Sequence, residues 1–78
     1  LEKVDDELKV LLQRFRELTP KQIQVLSYLR AGLMNKQIAH EMNVTEATIK
    51  AHISAILRKL EINTRTQAVL LMDKLQLS

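Results

Sequence analysis

The chain has no cysteine, and it has only one glycine, one proline and two aromatic residues among its 78 residues. The missing cysteine excludes disulfides, thiolate zinc sites and a cysteine nucleophile, and it fits a reducing compartment. No apolar run approaches the roughly 20 residues that a membrane-spanning helix needs, and there is no signal-like apolar region at the start. We therefore expect a cytoplasmic protein that does not contact a membrane. Because the chain opens on Leu1 rather than on methionine, we also expect it to be a piece of a longer protein.

The length and the scarcity of turn residues predict a small all-α domain. A chain this short allows one domain with a modest core, which leaves little room for a deep substrate cavity. Apolar residues recur at helical spacing, and no run alternates as a strand requires. The two histidines, His40 and His52, lack the cysteines or carboxylates that would complete a metal site, and no nucleophile is paired with a base. We expect no enzyme activity, no cofactor or metal and no small-molecule ligand.

Positive charge is concentrated in the later part of the chain. Residues 1–18 carry four basic and five acidic side chains, whereas residues 19–78 carry eight basic and four acidic ones. The later part, at +4, is compatible with a polyanionic partner, but ordinary soluble domains often carry a charge of this size. Charge alone does not choose between these interpretations.

The first 18 residues show a heptad pattern. Apolar residues follow one another at intervals of 3, 4, 3, 4 and 3, namely Leu1, Val4, Leu8, Leu11, Phe15 and Leu18. The pattern covers only about two and a half heptads, fewer than a coiled coil usually needs. Two interpretations stay open, a linker helix that packs on the following domain and a short dimerising coil. We place the linker helix at residues 1–18 and the domain proper at residues 19–78.

The stretch "LTPKQ" predicts a sharp helix start. Thr19 can cap the helix, Pro20 suits its first turn, and Gln22 is placed as the reciprocal partner of a capping box. We expect Gly32 to end this helix in the left-handed conformation. The side chains predicted on its inner face are Ile23, Leu26 and Leu29.

A tight corner separates the next two helices. Asn35 can cap the first of them, whose inward side chains are predicted to be Ile38, Ala39 and Met42. Asn43 tolerates the left-handed conformation, Val44 can plug the corner, and Thr45 can cap the following helix. Three residues between two helices is the spacing of a helix-turn-helix, although such corners are also common in helical proteins that do not bind DNA.

The helix that follows, at about residues 46–60, has two contrasting faces. One side collects the apolar residues Ile49, Ile53, Ile56, Leu57 and Leu60. The opposite side carries Ala47, Ala51, Ser54 and Arg58, with Lys50 and Thr48 on its two shoulders. Short side chains let a helix backbone approach a surface, and a DNA major groove about 12 Å wide admits a helix of this size. The high helix propensity of alanine is the competing explanation, but it accounts for one alanine better than for the cluster.

The last helix is predicted to begin at about Arg65, because Thr64 and Gln67 repeat the capping box. Its inner face is predicted to hold Ala68, Leu71, Met72 and Leu75. An apolar pair with an acidic neighbour is left on the outside, Val69 and Leu70 with Asp73. A second copy of the same helix, related by two-fold symmetry, would cover this surface and make a homodimer.

Four segments together resemble a known family. The stretches "LTPKQIQVL", "AGLMNKQIA", "VTEATIKAHISAILRKL" and "NTRTQAV" are similar, in order and spacing, to the LuxR/FixJ-type (NarL/GerE-like) helix-turn-helix domain. This domain is the output domain of many bacterial response regulators and quorum-sensing regulators. The resemblance covers residues 18 to about 75. It implies sequence-specific binding of double-stranded DNA in transcription regulation, contact with RNA polymerase, and a fourth domain helix that makes the dimer contact.

The resemblance also assigns roles to individual residues. It implies base contacts for Lys50, Ala51 and Ser54, and backbone phosphate contacts for Asn35, Lys36, Thr45, Thr48 and Arg65, which Arg58 joins from the outer face. A lysine can donate to guanine, and an alanine methyl can meet a thymine methyl. Phosphates are favoured at the positive end of a helix and beside cationic side chains, and contacts to them make binding salt-dependent.

Two positions depart from the family pattern. Glu61 stands where the family usually has glycine, so we expect that helix to be closed in another way. Ser54 is smaller than the lysine of some relatives, which puts one base contact in question. His52 is interpreted as packing or hydrogen bonding within the domain.

The alternative function is a helical interaction or dimerisation module without direct base readout, in which the helix-turn-helix is only architecture.

Overall fold

Five helices make up most of residues 2–77, which are the residues that the computed structural model of the chain describes; side chains are described for residues 6–75. The helices are α1 (Glu2–Arg16), α2 (Pro20–Arg30), α3 (Asn35–Met42), α4 (Glu46–Leu60) and α5 (Arg65–Leu77). Residues 2–77 contain no strand, and the predicted all-α fold is confirmed. Within the same range, none of the helices is long and apolar enough to cross a membrane.

The core is built around α4, which packs against each of the other four helices. Its inner face is buried as predicted, with Ile49, Ile56 and Leu60 fully inaccessible and Ile53 nearly so. Leu57, at the edge of this face, is only partly buried. The other helices contribute the remaining buried apolar side chains, Leu18, Val25, Leu26, Leu29, Ile38, Ala39 and Ala68. Burial of apolar area between α4 and the other four helices is the main stabilising contribution.

Most of the predicted helix starts are present. The Thr19 hydroxyl accepts from the Gln22 backbone N–H at 3.1 Å, and the Gln22 side chain accepts from the Thr19 N–H at 3.0 Å. The same reciprocal pair joins Thr64 and Gln67, at 3.2 and 3.0 Å. These two capping boxes satisfy backbone donors that have no partner within the helix.

The prediction that Asn35 caps α3 was wrong. The cap is Met34, one residue earlier, whose backbone N–H donates to the Gln37 side chain at 2.7 Å. Asn35 is the first residue of the helix itself. A glutamine three residues after the cap serves the first N–H without needing a polar cap residue, and this leaves the Asn35 amide available for another contact.

Three helices end in the same way. A residue with positive φ follows α2, α3 and α4, namely Gly32, Asn43 and Glu61. The next residue is apolar each time, and its N–H reaches back five residues, as Val44 does to the Ala39 carbonyl at 2.9 Å. These apolar residues, Leu33, Val44 and Ile62, pack against the core. This is the Schellman arrangement with its hydrophobic contact, and it turns the chain tightly at each corner.

Glu61 corrects the expectation that α4 closes differently from its relatives. Glu61 takes the left-handed conformation itself, with φ 55° and ψ 47°, and the Ile62 N–H donates to the Leu57 carbonyl at 3.0 Å. Its carboxylate lies 3.0 Å from the Arg14 guanidinium of α1. The corner therefore keeps its left-handed geometry although glutamate disfavours this conformation, at a cost of about 1 kcal/mol relative to glycine.

The inner face of α2 also differs from the prediction at one position. Ile23 is 44% exposed, whereas Gln22 and Val25 are buried beside Leu26 and Leu29. At 100° per residue, Ile23 lies about 110° from the centre of that buried group, so it falls outside the contact with α4 and α5. The buried Gln22 amide oxygen has hydrogen-bond partners, because besides the Thr19 N–H it also accepts from the Lys59 ammonium of α4 at 3.1 Å.

The end of α1 belongs to the packed structure. Leu18 is buried and Phe15 packs against the core, while the Lys59 ammonium donates to the Glu17 carbonyl at 2.9 Å. Leu8 and Leu11 are only half-buried, and the seam residues Leu1 and Val4 lie outside the described side chains. The last part of the heptad seam is therefore used inside the domain, which leaves only its earlier part for a coiled coil.

The strain at Glu61 can be measured. Glu61→Gly and Glu61→Ala both remove the ion pair with Arg14, but only glycine relieves the positive φ. We expect the glycine variant to have the higher free energy of unfolding, by about 1 kcal/mol, in chemical denaturation. Equal stabilities of the two variants would mean that α4 does not end on a left-handed residue.

Candidate nucleic-acid interface

The face of α4 opposite the core is exposed and flat. Ala47, Ala51, Ser54 and Arg58 are all exposed, as the sequence predicted, and so is Lys50 on one shoulder. Thr48, on the other shoulder, is half-buried. The other helices cover the opposite side of α4, and the short side chains leave its backbone close to the surface. The predicted base-contacting residues thus lie together on one accessible face.

The start of α4 presents a pair of hydroxyl groups. Thr45 caps the helix by accepting from the Thr48 backbone N–H at 3.2 Å, and the two threonine hydroxyls lie 3.0 Å apart. One hydroxyl donates to the other, so one of the two protons stays free for an outside acceptor. The first backbone N–H groups of α4 point out of the start of the helix and carry a positive partial charge. Both features suit an anion, although the Glu46 carboxylate in the first turn opposes it.

The starts of α3 and α5 meet in space. The Arg65 guanidinium donates to the Asn35 side-chain oxygen, which joins the first residues of two helices that are 30 positions apart in the sequence. Lys36 is exposed next to Asn35. The structure therefore brings together three of the six residues predicted to contact phosphates.

Three exposed cations of α3 and α4 are unpaired among the described side chains. Within residues 6–75, the side chains of Lys36, Lys50 and Arg58 have no ion pair or side-chain hydrogen bond. No aspartate or glutamate occurs between positions 18 and 40, so α2 and α3 up to that point add no negative charge. A positive surface whose charges are not neutralised internally is available to an anionic partner.

The predicted dimer surface on α5 is only partly free. Leu70 is 61% exposed, but Val69 packs against the core rather than pointing away from the domain. The Asp73 carboxylate forms an ion pair with the Arg30 guanidinium of α2. α5 packs on α2 as well as on α4, and the periodicity of α5 alone did not indicate the contact with α2.

Two features were missed by reasoning from sequence. Lys59 ties the end of α4 to the α1–α2 corner through two hydrogen bonds, yet a lysine near a helix end looks like an ordinary surface residue. An open groove of about 310 Å³ lies between the end of α2 and the start of α5, bordered by Met34, which is 71% exposed. Among the described residues, no group of His, Cys, Asp and Glu is placed to hold a metal ion.

The comparisons with known proteins converge on one family. The family described as "Bacterial regulatory proteins, luxR family" matches residues 16–72. The glycerol metabolism activator of Pseudomonas putida is 53% identical over 53 residues, covering 68% of this chain and 24% of that protein. The nitrate/nitrite response regulator protein NarP of Escherichia coli is 46% identical over 57 residues, covering 73% and 26%.

Two further relatives extend the match to α1. The response regulator protein VraR of Staphylococcus aureus is 36% identical over 70 residues, covering 90% of this chain and 34% of that protein. The solved structure of the response regulator StyR superimposes with a TM-score of 0.88 at 37% identity, over 94% of this chain and 37% of that one. The chain thus spans about a quarter to a third of the length of the curated relatives.

The cap at the start of α4 can be tested by itself. Thr45→Ala removes the acceptor of the Thr48 N–H, and we expect the free energy of unfolding to fall by about 1 kcal/mol. Thr45→Ser keeps the hydroxyl and serves as the matched control, with little expected change. Thermal unfolding of both variants makes the comparison, and an alanine variant as stable as the serine variant would contradict the capping role.

Proposed function

The chain belongs to the luxR family of bacterial regulatory proteins, and on that premise we propose that it reads DNA sequence by placing α4 in the major groove. The family consists of DNA-binding transcription regulators and not of enzymes. The observation that carries the proposal is the exposed, flat face of α4 opposite its buried isoleucines. A helix whose outer side chains are short fits a groove about 12 Å wide without steric obstruction.

Three residues of α4 are proposed to read bases. Lys50 is exposed on the shoulder of the flat face, and Ala51 and Ser54 lie on the face itself. A lysine ammonium can donate to guanine O6 and N7, an alanine methyl can contact a thymine methyl, and a serine hydroxyl can donate or accept with several bases. Lys50 carries most of the proposed discrimination, because it alone brings a charged donor to a base edge.

The proposed phosphate contacts come from three helix starts. Thr45 and Thr48 present a free hydroxyl proton at the start of α4, while Lys36 and Arg65 carry unneutralised positive charge at the starts of α3 and α5. Arg58 adds a cation on the outer face of α4. Such contacts orient a protein on the duplex and release counterions, but they carry no sequence information.

We further propose that the domain acts as a homodimer on paired half-sites. Leu70 is the most exposed apolar side chain that the structure describes on α5, and a two-fold contact through α5 would cover it in both copies. Val69 and Asp73 would then lie at the edge of the contact, since each already has a partner within its own domain. Symmetric pairing predicts two half-sites at a fixed spacing.

The longer protein is proposed to be a response regulator. Two curated relatives and the solved structure carry that description, and the chain spans only part of their length. A regulatory domain would then control DNA binding by this domain, and RNA polymerase would be a further partner at promoters. Such a regulator would work in the cytoplasm, where bacterial DNA lies.

A helical interaction module is the second candidate. It is favoured by the exposed apolar side chains of α1, Val10 and Leu12, which are 44% and 38% accessible. In that case α1 would bind a protein partner, and the flat face of α4 would have no ligand. Failure to bind any pool of random duplexes at low salt would support this candidate over DNA recognition.

The role of Lys50 can be tested on selected DNA. We would select bound sequences from a random duplex library, then measure the affinity of Lys50→Ala for a selected site and for random DNA. We expect a loss of about tenfold or more on the selected site and a smaller loss on random DNA.

The matched control is Lys9→Ala, which removes the same charge from α1 and should leave both affinities nearly unchanged. The affinity of the unaltered chain should fall steeply with salt. Equal losses on both kinds of DNA in the Lys50 variant would contradict base reading by this lysine.

The dimer proposal makes a separate prediction. Leu70→Glu places a charge at the centre of the proposed contact, so sedimentation should show fewer dimers, and binding to paired half-sites should weaken more than binding to a single half-site. Ile23→Glu changes another exposed apolar residue, on α2, and is the control. Unchanged assembly and unchanged binding to paired sites in the Leu70 variant would remove α5 as the dimer contact.

A further inference from the structure

We propose that Asn35 is a positioning residue for Arg65, rather than an independent phosphate contact. The inference rests on the proposed DNA binding and deepens it. Asn35 and Arg65 were each expected to bind a phosphate. The geometry instead points to one unit, in which the amide of one side chain holds the guanidinium that meets the DNA backbone.

The contact between the two residues links the first turns of α3 and α5. The Asn35 side-chain oxygen accepts a hydrogen bond from Nη2 of Arg65. Asn35 is half-buried, whereas Arg65 is exposed. An exposed arginine loses considerable rotamer entropy when it is ordered by a ligand. A bond that already holds the guanidinium reduces this loss at the moment of binding.

The Asn35 side chain is not needed to cap α3, so it can hold Arg65. Met34 is the cap, and the Gln37 side chain satisfies its backbone N–H at 2.7 Å. The Asn35 amide therefore does not close its own helix, in contrast to the hydroxyls of Thr19 and Thr45, which do. Its oxygen is instead directed at a residue of another helix.

The partner of Arg65 is uncharged, which separates it from the other paired arginines among the described residues. Arg14 faces the Glu61 carboxylate, and Arg30 faces the Asp73 carboxylate. Each of those guanidinium charges is neutralised within the domain. An amide oxygen orients Arg65 without cancelling its charge, and a guanidinium with five N–H donors keeps most of them for a further acceptor.

The position of Arg65, where two helix starts meet, does not by itself favour folding. Arg65 is the first residue of α5 and touches the first residue of α3, and neither helix has an acidic residue in its first turn. A cation at the positive end of a helix is unfavourable in the free domain. An arriving phosphate would relieve this, because it supplies the missing anion beside a guanidinium already in place.

A double-mutant cycle tests the proposal. The duplex affinities of the unaltered chain, Asn35→Ala, Arg65→Ala and the double variant would be measured on one selected site over a range of salt. We expect Asn35→Ala to weaken binding about two- to tenfold. Arg65→Ala should weaken it more and reduce the salt slope by about 0.9, the value for one phosphate contact. The double variant should bind like Arg65→Ala, because Asn35 acts only through the arginine.

A charged variant separates positioning from a merely structural role. Asn35→Asp keeps the acceptor for Arg65 and suits the start of α3, so thermal stability should be kept or raised. Its carboxylate neutralises the guanidinium, so DNA affinity should fall below that of Asn35→Ala. Affinity thus falls while thermal stability does not, a combination that a loss of folding would not produce.

Three outcomes would overturn the inference. Additive losses in the double variant would show that Asn35 contacts the DNA independently. An unchanged duplex affinity of Arg65→Ala would show that the arginine contacts no phosphate. Asn35→Asp binding as tightly as the unaltered chain would exclude charge presentation by Arg65. In each case the unaltered chain still binds DNA, whereas failure of that chain to bind any duplex would remove the proposed function itself.

Discussion

The shared burial of one face of α4 is the constraint on which the rest of the structure depends. A chain of 78 residues has too little apolar surface for two cores, so all the other helices pack against the same central one. Ile49, Ile53 and Ile56 fill that contact, and the opposite face is left to solvent. Under the proposed function, stability and DNA recognition lie on opposite sides of a single helix. Changes at Ala51 or Ser54 can alter the surface offered to a ligand without opening the core.

The corners between helices hold this arrangement in place. Each of three helices ends on a left-handed residue, followed by an apolar side chain that packs inward. Glycine and asparagine at two of these corners follow the usual residue preferences, but Glu61 does not. The half-buried Ile62, which packs against the core, and the ion pair to Arg14 stabilise the same geometry at a residue that disfavours it. Tertiary packing can therefore preserve a corner whose local sequence signal is weak.

The charges of the domain fall into two groups. Arg14 and Arg30 are paired with carboxylates and connect helices, whereas Lys36 and Lys50 have no partner among the described side chains. Arg65 belongs to neither group, because it has a hydrogen-bond partner but that partner is the neutral amide of Asn35. Surface ion pairs contribute little to folding free energy, so leaving the other cations unpaired costs little. This distribution allows a modest net charge to present a locally positive surface to DNA.

The sequence by itself determined the helices, the two contrasting faces of α4 and most of the capping boxes. These features depend on neighbours within about four positions, and the helical period makes them readable from residue order. Only the tertiary structure decided that Val69 faces the core, that Ile23 does not, and that Asn35 meets Arg65 rather than capping its helix. Each of these depends on how two helices distant in the sequence are oriented against each other. The periodicity of one helix specifies that it has an inner face, but the neighbouring helices set how wide that face is.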